Sequence, residues 1–173
     1  MTPEPRFTHD IDIAVAVADD AEAESTTHAL LRRGWRVGDV IEQSYTDRLA
    51  TVRLALPAID GPHVVDLLFA TCGIEPEIVA AAQMLEVLPD LRVAVARPEF
   101  LVAMKLLSVD AERPQDAMDL HALHAVMDAE ARERVGALVR LIAARGAARG
   151  RDLSAAWRVW SSTGFAPPPP PAR

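Results

Sequence analysis

Asp10-Ile11-Asp12-Ile13-Ala14-Val15-Ala16-Val17 is the stretch on which the fold turns. From Ile11 to Val17 it is apolar and rich in β-branched residues, with Asp12 as the one interruption, which is the composition of a buried strand. Strand side chains repeat every second residue, so the carboxylates of Asp10 and Asp12 are expected on one face. Asp19 and Asp20 follow as cap candidates, and residues 21–33 are expected to form a helix with Gly34 as its C-cap. A strand and a helix therefore open the chain.

Further along, two strands are expected at 49–56 and 63–70, joined by a turn over 57–62 that contains Asp60-Gly61. Residues 74–83 look helical, and 85–95, broken at Pro89-Asp90, look like a short β pair. After Pro98 the pattern changes to helices at 99–109, from Pro114 to about 127, at 129–145 and at 153–160. Five consecutive prolines, Pro167 to Pro171, give polyproline II rather than packed structure. No internal repeat is evident. The expected class is α+β: a small mixed β-sheet followed by a helical half. It forms a single domain over 1–163, sheet-rich in 1–97 and helical in 98–163, with a flexible proline-rich tail at 164–173.

The chain has 173 residues, half of them hydrophobic, enough for a core without staples. A single cysteine, Cys72, excludes an internal disulfide framework and fits a reducing cytoplasm. No apolar run reaches the roughly 18 residues of a membrane helix, and the N-terminus lacks a signal-peptide core, so the expected location is cytoplasmic with no membrane partner. The net charge of −7 argues against a general nucleic-acid binder. Positive charge collects late, at Arg132, Arg134, Arg140, Arg145, Arg149, Arg151 and Arg158. These arginines either track a phosphate backbone or form a solvated helix face. Their helical spacing among alanines favours the face.

Two neighbouring carboxylates repel unless a cation lies between them. Mg²⁺ prefers hard oxygen ligands and shares its shell with phosphates, so Asp10 and Asp12 suit nucleotide chemistry. An arbitrary Asp-x-Asp is more often a cap and a solvated edge residue. Asp66 shifts that balance, because it interrupts Val64-Val65-Asp66-Leu67-Leu68-Phe69, where a lone carboxylate is costly unless paired or bound to metal. Pairing with Arg53 across the hairpin is as good an explanation of Asp66 as ligation. Three carboxylates on apolar strands together make a phosphoryl-transfer site for one or two metal ions.

Lys105 lies in a strongly apolar helix and either reaches solvent or points into a site. Asp116 and Asp119, three apart, share a helix face and either hold Lys105 or Arg113 or are simply solvated. His9, His63, His121 and His124 have no third ligand at zinc spacing, and Cys72 carries no sign of activation. Walker, Rossmann and Gly-x-Ser-x-Gly motifs are missing.

Arg6-Phe7-Thr8-His9-Asp10-Ile11-Asp12-Ile13 resembles the Arg-x-Thr-x-Asp-hydrophobic-Asp segment of minimal nucleotidyltransferases, and among them the AbiEii/AbiGii toxin-like proteins. The resemblance continues through Val65-Asp66-Leu67-Leu68, through Ala96-Arg97-Pro98-Glu99-Phe100-Leu101-Val102-Ala103-Met104-Lys105-Leu106-Leu107, and through Arg113-Pro114-Gln115-Asp116-Ala117-Met118-Asp119-Leu120. It implies a polymerase-β-like sheet with acids at its edge, and transfer of a nucleotide from an NTP, with Mg²⁺ or Mn²⁺, to a hydroxyl on RNA (tRNA among the candidates) or on protein. By the same match, Asp10 and Asp12 are metal ligands, and Asp66 is a third ligand or the base for the acceptor. Lys105 meets the triphosphate, Asp119 with Asp116 orients it, and Arg6 and Thr8 belong to the substrate-binding set. A cognate antitoxin is the implied protein partner.

The family also places a Gly-Ser or Gly-Gly turn ahead of the acidic pair, at a helix N-terminus whose N–H groups cradle the triphosphate. Nine residues precede Asp10 here and none is glycine. Two expectations follow: an active nucleotidyltransferase whose chain starts too late to show the turn, or a weak or inactive binding module of the same fold.

Overall fold

The computed structural model describes residues 10–43, 47–56, 63–110 and 114–166, with only the backbone of Asp10. The chain divides into two compact units, 1–80 and 81–173.

The first unit is built on a four-stranded sheet. β1 (Asp10–Ala14) leads through α1 (Asp20–Leu31) to β2 (Arg36–Gln43), β3 (Arg48–Leu56) and β4 (His63–Leu68), and α2 (Glu75–Ala81) follows. The strand order is β1-β4-β3-β2, with β1 parallel to β4 and the other pairs antiparallel. Alternation decides the faces. Val52 and Leu54 of β3, Val65 and Leu67 of β4, and Phe69 just beyond it bury themselves with Ala23 of α1, while Leu30, Leu31, Trp35 and Val15 pack around them. Arg53 and Asp66 lie between those apolar residues and therefore emerge on the opposite face.

Local chemistry sets the ends of α1. Asp19 caps it, accepting from the Glu22 N–H at 2.9 Å. Gly34 then turns the chain at φ +95°, a conformation that disfavours any side chain. Asp20 ties the helix to β3 by accepting from Arg48 Nε at 2.6 Å and the Leu49 N–H at 3.2 Å. The Arg48 guanidinium beside it lowers the Asp20 carboxyl pKa against the opposing effect of burial.

The expected helix and the strands around 11–17, 49–56 and 63–70 are present, with β1 and β4 shorter than foreseen. β2 was not anticipated. Its eight residues include Gly38 and Asp39, poor strand formers, and its register shifts between Val37 and Asp39 and again between Ile41 and Glu42. Those irregularities break the alternation by which a strand is recognised. The turn expected at 57–62 lies outside the described residues.

The second unit starts with a hairpin of β5 (Gln83–Leu88) and β6 (Leu91–Val95), which turns at Pro89-Asp90. Four helices follow: α3 (Pro98–Ser108), α4 (Pro114–Val126), α5 (Ala129–Ala144) and α6 (Leu153–Thr163). Each begins at a residue suited to the task. Pro98 and Pro114 occupy first turns, and Asp128 and Asp152 accept from the N–H groups of Ala131 and Ala155 at 2.7 and 2.8 Å. Their apolar faces bury Leu106, Leu120, Val135, Val139, Ile142, Leu153 and Trp160. The Trp160 indole donates to the Leu120 carbonyl at 2.9 Å, which satisfies its polar edge inside the core. α5 meets α6 so closely that a Cβ on Gly136 would lie 2.6 Å from the Trp157 ring. A mixed sheet followed by a helical half is thus the observed architecture, as expected for the α+β class.

Candidate active site

The outer face of the first sheet carries a row of charged residues, one from each strand. Asp12 of β1 lies opposite Asp66 of β4, Asp66 lies opposite Arg53 of β3, and Arg53 lies opposite Asp39 of β2. Neighbouring strands are about 4.8 Å apart and register partners share a face, so Asp12 and Asp66 leave the same face of the sheet from adjacent positions. Asp10 precedes Asp12 by two positions in β1, opposite Val64.

Asp66 is held by Arg53. Nε donates to Oδ1 at 2.7 Å and an Nη donates to Oδ2 at 2.6 Å, a bidentate pair. The pairing weighed for Asp66 from sequence is therefore made. The two partners differ in exposure: the Asp66 side chain is 12% exposed and the Arg53 side chain 47%. An acid fixed in a sheet faces a base that reaches it from the solvent side.

Lys105 forms a second cluster, within the helical unit. Its ammonium lies 2.7 Å from Asp116 Oδ1 and 2.8 Å from Asp119 Oδ2. The Ser108 hydroxyl donates to the other Asp116 oxygen at 3.0 Å. Burial alone would lower the Lys105 pKa, but the hydrogen bonds that its ammonium donates to the two carboxylates outweigh it and leave the pKa raised. The lysine is therefore a fixed positive charge, held by the two acids singled out in the sequence. Arg113, the other expected partner of those acids, lies outside the described residues, as do Arg6, Thr8 and His9.

His121, His124 and Cys72 have structural roles. His121 stacks on Phe165 with ring centroids 4.6 Å apart, and His124 lies 3.0 Å from the Ser161 carbonyl and edge-on to Trp160. Cys72 is buried, and burial followed by the neighbouring Glu75 carboxylate pushes its thiol up to about 12. Several late arginines are engaged within their own unit. Arg134 pairs with Glu99 and Glu130, Arg151 donates to the Leu107 carbonyl, and Arg140 lies 5.7 Å from the centre of the Trp157 ring.

Among the described residues no group of three or more His, Cys, Asp or Glu side chains gathers to hold a metal. Asp12 and Asp66 make a set of two, and the Asp10 side chain is not among those described. Two hard carboxylates fit Mg²⁺ or Mn²⁺, which usually take one or two from the protein and the rest from phosphates and water. A groove of about 900 Å³ between α1 and the β2–β3 edge, lined by Asp20, Glu24, Val37, Val40, Glu42 and Val52 among others, opens on the other face of the sheet and contains none of the charged row. Its acidic rim does not suit a triphosphate. Sequence reasoning missed Asp39, hidden in the unassigned strand, and Ser108. A polar residue one turn beyond Lys105 was the available signal for Ser108.

A family model described as "Nucleotidyl transferase AbiEii toxin, Type IV TA system" matches residues 1–172. None of the curated proteins matches the chain. Among solved structures it is similar to one from H. pylori, provisionally assigned as a nucleotidyltransferase, with a TM-score of 0.42 and 14% identity over 94% of this chain and 79% of that one.

Proposed function

Because the chain belongs to the AbiEii family of nucleotidyl transferase toxins, we propose that it transfers a nucleotide from an NTP to a hydroxyl on RNA, a tRNA among the candidates, in a reaction that depends on Mg²⁺ or Mn²⁺. A protein hydroxyl is the other acceptor of the same chemistry, and the antitoxin of the toxin–antitoxin pair is the proposed protein partner. The observation that carries the reading is the register of Asp12 with Asp66 on adjacent parallel strands.

Asp12 and Asp66 are the proposed metal ligands, with Asp10 joining them by its place in the family motif. The bound cation would neutralise charge on the transferred phosphoryl group and the leaving pyrophosphate. Lys105 is the proposed contact for the triphosphate, with Asp116 and Asp119 fixing its ammonium. Arg6 and Thr8 complete the substrate-binding set by the motif they share with Asp10 and Asp12.

Incubation with RNA, Mg²⁺ and each of four α-labelled NTPs tests this. Label is expected in RNA from at least one NTP, with loss of at least 100-fold in Asp12→Ala, about the effect of removing one electrostatic partner of a transition state. Absence of label with all four, from this chain and from one extended upstream, overturns it. One observation favours a second reading: Arg53 already neutralises Asp66. If that pair is permanent, the chain binds nucleotide without turning it over. Calorimetry with Mg²⁺-ATP separates the two, since tight binding with turnover rejects the binding-only module.

A further inference from the structure

The charged row on the outer face of the sheet is asymmetric about Arg53. On one side is Asp66, buried in its strand and held by both of its oxygens. On the other side is Asp39, exposed on the edge strand β2 and registered directly opposite Arg53. Asp39 Oδ1 accepts from the Val40 N–H at 2.9 Å, which fixes that carboxylate on its strand. Gly38, at the register shift between Val37 and Asp39, lies beside the arginine stem, where an added Cβ would meet Arg53 Cγ at 3.5 Å.

The charges match this arrangement. Three carboxylates and one guanidinium leave the row Asp39, Arg53, Asp66 and Asp12 with two net negative charges, the complement of one divalent cation. A cation bound to an Asp66 oxygen at about 2.1 Å would lie beside the guanidinium already bound there, and like charges at that separation repel strongly. The two cations compete for the same carboxylate, and the one that reaches it from the solvent side is Arg53, with nearly half of its side chain exposed.

Resting on the metal site proposed above, we infer that Arg53 is a displaceable counter-ion. It neutralises Asp66 when no metal is bound, and it moves one strand over to Asp39 when a divalent cation takes the Asp66 carboxylate. Arg53 is then a positioning residue that sets how tightly the site holds metal. Its release leaves Asp66 open only while a cation replaces the lost charge. Asp39 lowers the cost of release by receiving the guanidinium.

Mn²⁺ binding to the full chain without nucleotide, read by the loss of the free-ion electron paramagnetic resonance signal, tests the inference. Arg53→Gln is expected to bind Mn²⁺ on the order of tenfold more tightly than the unmodified chain, and Asp39→Asn several-fold more weakly, effects of the size of one partly exposed charge pair. Asp12→Asn should abolish the site and so identifies it. A site that depends on Asp12 but has the same or weaker affinity in Arg53→Gln overturns the inference and leaves the metal site standing. Absence of any Asp12-dependent site in all variants overturns the metal site and the inference together. If Arg53→Gln fails to fold, Arg53→Lys, which keeps the charge but loses the two-pronged bond, should bind more tightly by a smaller factor, and an unchanged or weakened affinity there overturns the inference equally.

Discussion

A carboxylate between valines and leucines needs a counter-charge, and Asp66 has one in Arg53. The need itself was legible: an Asp in an otherwise apolar strand stands out against its neighbours. So was the identity of the cation, because Arg53 alternates with Val52 and Leu54 on the facing strand. Asp39 was not legible, because its strand was not recognised. Cys72 shows the same physics with opposite sign. Its thiol is buried beside the Glu75 carboxylate, which also accepts from the Cys72 N–H at 2.7 Å, and it is pushed from 9.0 up to about 12. The folded chain therefore keeps the thiol proton while the unfolded chain loses it above pH 9. Below that pH the ionisation of Cys72 has no effect on stability. As pH rises from 9 towards 12 its burial removes stability, at no more than about 1.4 kcal/mol per pH unit. Urea unfolding midpoints between pH 7 and 11 should fall more steeply for the unmodified chain than for Cys72→Ala. Parallel slopes would show that the thiol ionises as readily folded as unfolded.

At the scale of elements, helices were easier to anticipate than strands. Pro98, Pro114, Asp128 and Asp152 each mark a helix start through a local mechanism, visible without tertiary contacts. β2 lacks such marks and owes its existence to pairing with β3 across two register shifts. Close helix contacts were also invisible. Gly136 lies in the middle of α5, where glycine costs about 1 kcal/mol against alanine, so propensity alone favours Gly136→Ala. Trp157 reverses that preference. Its ring would be 2.6 Å from the new methyl, and its indole N–H is committed to the Arg132 carbonyl at 2.9 Å, so it is not free to swing away. Overpacking of this kind costs about 1–3 kcal/mol. Gly136→Ala is expected to lower stability by up to about 2 kcal/mol in urea unfolding. A stabilised variant would mean that the α5–α6 contact is looser than described.

At the scale of the whole molecule, an acidic chain with a family motif spread over both units has to be understood through its sites rather than its overall field. No helix among the described residues is long and apolar enough to cross a membrane. The arginines that suggested a phosphate track are in part committed to Glu99, Glu130 and the Leu107 carbonyl. Composition could suggest such a track but could not show the commitments to Glu99 and the Leu107 carbonyl, which join residues 35 and 44 positions apart. The order of the acidic motifs was readable in the chain, whereas the lateral match of Asp12 to Asp66 needed the strand order β1-β4-β3-β2. A metal site on this sheet depends on that match. Crystals grown with Mn²⁺ and a non-hydrolysable NTP, measured at the manganese absorption edge, test it most directly. An anomalous peak is predicted within about 2.2 Å of oxygens from both Asp12 and Asp66, with Arg53 withdrawn from Asp66. A bound nucleotide whose metal touches neither carboxylate, while Arg53 still grips Asp66, would contradict it.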